Sequence, residues 1–127
     1  MNIQGLKDIN DPFYRYKMEK LNVVRQRNKT VINNINKVCK DLDREPNLLI
    51  NFLKKKLNVA LHYKNNLLTM TALITYNQFE LHLREFIDYY VLCEKCTLPE
   101  TILISRQDII YLDCKCCAYK SVRNIKK

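Results

Sequence analysis

Apolar and polar residues follow two patterns along this chain, one typical of hairpins and one typical of helices. Residues 21–32 have β-branched residues on both sides of a polar stretch, which predicts a β-hairpin. Asn33 or Asn34 is expected to cap the helix that follows. The apolar face of this helix has the spacing i, i+3, i+4, i+7 and consists of Ile35, Val38, Cys39 and Leu42.

Two more helices and a second hairpin are predicted downstream. Pro46 suits the first turn of a second helix, whose inward residues are expected to be Leu48, Leu49, Phe52, Leu53 and Leu57. Residues 58–74 again predict a hairpin. Thr75 and Gln78 form a capping box at the start of a third helix. Its inward face is predicted to contain Phe79, Leu83, Phe86, Ile87 and Tyr90.

Four of the six cysteines have the spacing of a zinc site. They form the pattern C-x2-C-x17-C-x2-C and are Cys93, Cys96, Cys114 and Cys117. Each short spacing lets two thiolates point at one ion, and the two pairs complete a tetrahedral site. All four positions are filled by protein, so we expect one structural Zn²⁺ and no catalytic metal. Disulfides or unliganded thiols are the alternatives.

The other two cysteines are not expected to bind the metal. Cys39 lies on the apolar face of the first helix and is predicted to be a core residue. Cys116 is interpreted as a non-ligand thiol, although its position between two ligands would let it compete for the metal.

These patterns together predict an α+β fold, in which a small α/β subdomain with hairpins and helices is joined by a linker helix to a C-terminal four-cysteine zinc ribbon. Apolar residues on either side of the polar residues 105–108 predict a strand hairpin within the ribbon. The expected boundaries are a flexible leader at 1–12, an α/β core subdomain at 13–74, a linker helix at 75–91, and the ribbon with a basic tail at 92–127.

The charge is strongly basic and unevenly distributed. The 127 residues carry 22 Lys and Arg against 13 Asp and Glu, a net charge of +9. Residues 1–64 and 113–127 hold most of this excess, which is typical of phosphate contacts but also of a solvated lysine-rich surface. The candidate RNA or ribosome contacts are Lys17, Arg25, Arg27, Lys54, Lys55, Lys56, Lys120, Arg123, Lys126 and Lys127.

Several classes of protein are excluded or disfavoured. Gly5 is the single glycine, so the chain cannot form a P-loop or a Rossmann turn. It has no apolar run of about 18 residues and no signal-peptide pattern at its start. We therefore expect a cytoplasmic protein without a membrane partner.

Two segments resemble a known family. DPFYRYKM at 11–18 and KTVI at 29–32 resemble the start of eukaryotic translation initiation factor 5. YVLCEKCTLPET at 90–101, with the second cysteine pair, resembles the zinc ribbon shared by that factor and the beta subunit of initiation factor 2. REPNLLINFL at 44–53 looks more like the beta subunit, and the resemblance extends over about 11–125.

The resemblance implies a translation initiation factor that works in start-codon selection. Its implied partners are the GTPase initiation factor 2, through the gamma subunit, the small ribosomal subunit and initiator tRNA. The chain resembles the shared core alone, without the helical repeat domain of initiation factor 5 or the lysine-rich blocks of the eukaryotic beta subunit. It also departs from the family in the first hairpin turn, which lacks glycines, and at Ala118, where the family usually has glycine. The turn geometry is expected to differ in both places.

Two functions remain open. In the first, the chain is an accessory factor, not itself an enzyme, that activates the GTPase in trans through Arg15, with Lys29 as a second basic position. Asn51 stands where a third family lysine falls. A phosphate or RNA contact, or no role, is the alternative for Arg15. In the second, the chain is a non-activating beta-like subunit that docks on the gamma subunit and binds RNA. A transcription-type zinc ribbon is disfavoured because it leaves residues 11–18 unexplained.

Overall fold

The computed structural model describes residues 1–123. Their helices are α1 (Ile35–Leu42), α2 (Pro46–Leu57) and α3 (Tyr76–Tyr90). Their strands are β1 (Val23–Gln26), β2 (Lys29–Ile32), β3 (Leu61–Lys64), β4 (Leu67–Met70), β5 (Thr101–Arg106), β6 (Ile109–Cys114) and β7 (Lys120–Val122). The predicted α+β class is confirmed. None of these helices is both long and apolar enough to cross a bilayer.

The chain divides into two compact units. The core unit consists of Met1 and Lys17–Leu83, and the ribbon unit consists of Asn2–Tyr16 and Arg84–Lys127. The core unit carries 12 basic and 5 acidic side chains, against 10 and 8 in the ribbon unit, so most of the net positive charge belongs to the core unit. Lys126 and Lys127, two of the predicted RNA contacts, lie outside the described residues.

The core unit contains a four-stranded antiparallel sheet in the order β1-β2-β4-β3. The two predicted hairpins are confirmed, and β2 pairs with β4 to join them, with Ile32 opposite Leu68. Asn65 and Asn66 both have positive φ, 54° and 63°, as a type I′ hairpin turn requires. Arg27 has a φ of 49° in the first turn, where the sequence offers no glycine.

The interior of the core unit is apolar and closely follows the predicted faces. Its fully buried side chains include Ile32, Leu49, Leu53, Leu68 and Met70. All four residues predicted for the inner face of α1 are buried. On α2 the buried residues are Leu49, Ile50 and Leu53, whereas Leu48, Phe52 and Leu57 are only half-buried. The buried stripe of α2 is therefore narrower than predicted and includes Ile50.

The predicted cap of α1 is correct in position but wrong in its hydrogen bond. Asn34 is the N-cap residue, yet its side chain makes no capping hydrogen bond. Its Oδ1 instead accepts the N–H of Asn22 at 2.8 Å, and its Nδ2 donates to Glu19 and to the carbonyl of Lys20. The Asn34 side chain therefore binds the segment that precedes β1, because that segment offers hydrogen-bond donors and acceptors to both ends of the amide.

Asp41, on α1, holds the same incoming segment. Its carboxylate accepts the backbone N–H of Glu19 at 2.9 Å and the ammonium of Lys37 at 2.7 Å. Partial burial acts to raise the pKa of Asp41, but these two hydrogen bonds outweigh it and lower the pKa below its ordinary value.

The start and the buried face of α3 are confirmed. Thr75 Oγ1 accepts the N–H of Gln78 at 3.2 Å, and Gln78 Oε1 accepts the N–H of Thr75 at 3.0 Å, which is a complete capping box. All five residues predicted for the inner face are buried. The helix belongs to the core unit up to Leu83 and to the ribbon unit from Arg84.

The ribbon unit contains a three-stranded antiparallel sheet in the order β5-β6-β7. The predicted hairpin is confirmed, with Gln107 and Asp108 at positive φ in its turn. The sequence analysis missed β7, in which Val122 pairs with Tyr111 of β6. A strand of three residues is too short to show an alternating pattern.

The leader differs from the expected unstructured tail because it is hydrogen-bonded within the ribbon unit. Leu6 donates its N–H to the Asp88 carboxylate at 2.9 Å. Arg84 pairs with Asp8 at 2.6 Å and donates to the carbonyl of Gly5. Gly5 is buried, and a Cβ there would lie 1.6 Å from Asp88 Oδ1, so any other residue at this position would displace the Asp88 carboxylate.

Candidate functional site

The first cysteine pair lies in a tight turn that follows α3. The N–H of Thr97 donates to the carbonyl of Cys93 at 2.9 Å, and the N–H of Cys93 donates to the carbonyl of Leu98 at 3.0 Å. Thr97 follows Cys96 directly and has a left-handed φ of 61°. This conformation folds the chain back so that both cysteine side chains point to the same side.

The second pair repeats the same turn at the end of β6. The N–H of Ala118 donates to the carbonyl of Cys114, and the N–H of Cys114 donates to the carbonyl of Tyr119, both at 3.0 Å. Ala118 follows Cys117 and has a φ of 60°. Alanine therefore adopts here the left-handed conformation that glycine would favour, with the strain of its Cβ.

The two turns bring four sulfur atoms together. The Sγ atoms of Cys93, Cys96, Cys114 and Cys117 all lie within 4.8 Å of one another. Cys93 and Cys117 are 3.6 Å apart, and Cys96 and Cys114 are 3.5 Å apart. Tetrahedral coordination with metal–sulfur bonds of about 2.3 Å places sulfurs about 3.8 Å apart. The four thiols therefore fit a single metal ion without rearrangement of the backbone.

Backbone N–H groups prepare Cys93 for the thiolate form. The N–H groups of Lys95 and Cys96 donate to its Sγ at 3.4 and 3.5 Å. Burial acts to raise the pKa of the Cys93 thiol, but the hydrogen bonds from Cys96 and Lys95 lower it to about 7. The thiolate is the form that binds metals.

The remaining cysteines lie outside the cluster. Cys39 is buried on α1, as predicted, and burial raises the pKa of its thiol to about 12. Cys116 is exposed, and its thiol donates to the Glu100 carboxylate, which raises the pKa of Cys116 to about 11. Both thiols are therefore protonated at neutral pH.

Arg15 is exposed and lies in the ribbon unit, just after the leader. Its Nη2 donates to Tyr16 Oη at 3.0 Å, and its guanidinium lies 5.1 Å from the centre of the Tyr16 ring. The same nitrogen lies 3.9 Å from a Glu100 oxygen, while 76% of the Arg15 side chain stays exposed. Sequence reasoning missed Glu100 as a neighbour of Arg15, because the two residues are far apart in sequence.

The predicted RNA-binding residues that the structure describes are divided between the two units. The basic residues of the core unit in this set are all exposed: Lys17, Arg25, Arg27, Lys54, Lys55 and Lys56. Lys29 is exposed at the start of β2 in the same unit. Lys120 lies in the ribbon unit, with its Nζ 5.9 Å from the Tyr111 ring centre.

Arg123 does not fit its predicted role. Its side chain is only 13% exposed and donates to the carbonyl of Tyr89 at 2.7 Å. It also contacts Glu94 at 3.4 Å and lies over the Tyr89 ring. These contacts direct the guanidinium into the ribbon unit, so we leave Arg123 out of the candidate RNA contacts.

The fold and the site define an α+β protein with a four-cysteine zinc ribbon. The family described as the domain found in initiation factors 2B and 5 matches residues 6–120, and the chain belongs to this family. The resemblance identified from the sequence is therefore confirmed.

Curated relatives include both kinds of initiation factor. The chain is 34% identical over 115 residues to eukaryotic translation initiation factor 5 of Dictyostelium discoideum, covering 87% of this chain and 29% of the relative. It is 32% identical over 99 residues to translation initiation factor 2 subunit beta of Nanoarchaeum equitans, covering 77% of this chain and 71% of the relative. For the same subunit of Methanopyrus kandleri the identity is 31% over 113 residues, covering 88% of this chain and 82% of the relative. The chain thus spans less than a third of the initiation factor 5 relative but most of each beta subunit.

Proposed function

We propose that this protein is a translation initiation factor acting in start-codon selection in the cytoplasm. Its proposed partners are the gamma-subunit GTPase of initiation factor 2, the small ribosomal subunit and initiator tRNA. The family match over residues 6–120 and the names of the relatives support this proposal. In this proposal the chain acts as an accessory factor and not as an enzyme.

Arg15 is proposed to speed GTP hydrolysis in trans. The observation that carries this proposal is the exposure of the Arg15 side chain, 76%, on a segment whose backbone is hydrogen-bonded from Ile3 to Tyr16 at 2.8 Å. An anchored backbone with an exposed guanidinium suits an arginine finger, which offsets the charge that develops on the transferred phosphoryl group. The ion pair with Glu100 is exposed and long, so a phosphate can replace it. Lys29 is proposed as a second basic residue that acts on the GTPase together with Arg15.

One Zn²⁺ is proposed to fold the ribbon. Cys93, Cys96, Cys114 and Cys117 would hold it, and a metal with four protein ligands has no open position for water. Metal binding to such a small unit is coupled to its folding. The zinc would therefore stabilise the surface next to Arg15 and take no part in hydrolysis.

Single-turnover GTP hydrolysis on initiation complexes tests the role of Arg15. Arg15→Ala should slow the stimulated rate by about 10³–10⁵-fold, the range for loss of an arginine finger. Arg15→Lys should restore little, because lysine keeps the charge but lacks the planar fork. Arg106→Ala, an exposed arginine of the ribbon unit, is the matched control and should leave the rate unchanged. Full recovery by Arg15→Lys would show that Arg15 only attracts phosphate.

The second candidate function is a non-activating beta-like subunit that docks on the gamma subunit and binds RNA. The identities of 32% and 31% to archaeal beta subunits support it. In this case the chain binds the GTPase and leaves its rate unchanged. Replacement of Lys54, Lys55 and Lys56 should then weaken RNA binding and flatten its salt dependence, because fewer counterions are released.

A further inference from the structure

Phe13 is the most exposed large apolar side chain in residues 1–123, with 89% of its surface accessible. It lies at the tip of a turn formed by residues 11–14 in the ribbon unit. Single exposed apolar residues are common on protein surfaces and need no explanation by themselves. The surroundings of Phe13 set it apart from such residues.

The turn that carries Phe13 is held by hydrogen bonds on both sides. The N–H of Phe13 donates to Asp11 Oδ1 at 2.9 Å, and the N–H of Tyr14 donates to the carbonyl of Asp11 at 3.2 Å. The Tyr14 hydroxyl donates to the carbonyl of Ile3 at 2.8 Å. A ring presented on a backbone that is already ordered loses little conformational entropy when it binds a partner.

Arg15 lies two residues after Phe13 and is 76% exposed. Phenylalanine and arginine are both enriched at protein–protein interfaces relative to the rest of the surface. Residues 2–16 carry two basic and two acidic side chains, so this segment has no net charge to attract a nucleic acid backbone. Asp11 is bonded directly to the Phe13 backbone and would repel phosphate. The charge around Phe13 therefore favours a protein partner over RNA.

We propose that Phe13 is a binding anchor that inserts into an apolar pocket on the GTPase and thereby brings Arg15 to the nucleotide. This inference rests on the proposed function and adds a division of labour to it. Phe13 supplies affinity, because its whole ring leaves water on binding. Arg15 supplies the charge needed for hydrolysis.

Binding and hydrolysis measured separately test this division. The affinity of the full chain for the GTPase, loaded with a non-hydrolysable GTP analogue, is measured by calorimetry. Phe13→Ala should weaken binding roughly 10- to 100-fold, as expected for loss of a buried aromatic side chain. Its hydrolysis rate at saturating concentration should equal that of the wild type. Phe13→Leu should recover most of the affinity, since leucine keeps an apolar side chain of similar size.

Leu73→Ala is the matched control, because Leu73 is an exposed apolar residue of the core unit, 53% accessible, and should leave affinity unchanged. If Phe13→Ala binds like the wild type while the wild type still activates hydrolysis, the inference is wrong and the proposed function stands. If the wild type does not bind the GTPase, both fail. Weaker binding of Phe13→Ala to a single-stranded oligouridine RNA, with unchanged binding to the GTPase, would make Phe13 a base-stacking residue and overturn the inference.

Discussion

Ala118 occupies a backbone conformation that glycine adopts more easily. Its φ of 60° lies in the left-handed region, where the Cβ of an L-residue costs about 1–2 kcal/mol. Thr97 has the equivalent position in the first cysteine turn, with a φ of 61°. Both residues are exposed, so replacing their side chains removes little packing. Ala118→Gly is therefore expected to stabilise the ribbon.

The size of the effect follows from two opposing contributions. Glycine relieves about 1–2 kcal/mol of strain, but it loses about 0.5–1 kcal/mol more backbone entropy on folding than alanine. The net stabilisation is therefore about 0.5–1 kcal/mol. Because metal binding and folding of the ribbon are coupled, this should appear as roughly two- to fivefold tighter metal binding.

Competition with a chromophoric chelator, using the full zinc-loaded chain, measures that affinity. Ala60→Gly is the matched control, because Ala60 is exposed in the core unit and has no positive φ. It should leave metal affinity unchanged. It should also lower the stability of the core unit by about 0.4–1 kcal/mol, whereas Ala118→Gly is expected to raise the stability of the ribbon. Unchanged or weaker metal binding in both Ala118→Gly and Thr97→Gly would refute the strain argument.

Three further predictions follow from the hydrogen bonds and the metal cluster. Cys93→Ser should abolish binding of the single metal ion and unfold the ribbon, whereas Cys116→Ser should keep one equivalent by metal analysis; the reverse result would show that the ligand set is wrong. Gly5→Ala should displace the Asp88 carboxylate and speed amide exchange of the leader about tenfold, as expected for a lost hydrogen bond; unchanged exchange would contradict the close packing. Because the pKa of Asp41 is lowered in the folded protein, the stability that its carboxylate contributes is complete above about pH 4. This contribution is lost as the pH falls through the pKa of Asp41 in the folded state. Urea unfolding of the wild type and Asp41→Asn should therefore differ at neutral pH and converge near about pH 2, and a constant difference would rule this out.

Local sequence signals determined most of the secondary structure of this protein and the choice of the four clustered cysteines. Pro46 and the Thr75–Gln78 capping box predicted the starts of α2 and α3, because the orphan N–H groups of a helix end are satisfied by nearby residues. The cysteine spacing predicted which four thiols come together for a similar reason, since a two-residue spacing brings two thiols to one side of a turn. The helix caps connect residues that are close in sequence. The metal cluster uses two copies of a short cysteine motif, each of which is also local in sequence.

The tertiary structure alone decided the long-range contacts. The pairing of β2 with β4 and the approach of Arg15 to Glu100 join segments that are far apart in sequence. The leader is the clearest case, because residues 1–12 lack any periodicity and yet bind Arg84 and Asp88 through backbone groups and Gly5. Backbone hydrogen bonds use groups that every residue carries, so no pattern of side chains can predict which distant partners they choose.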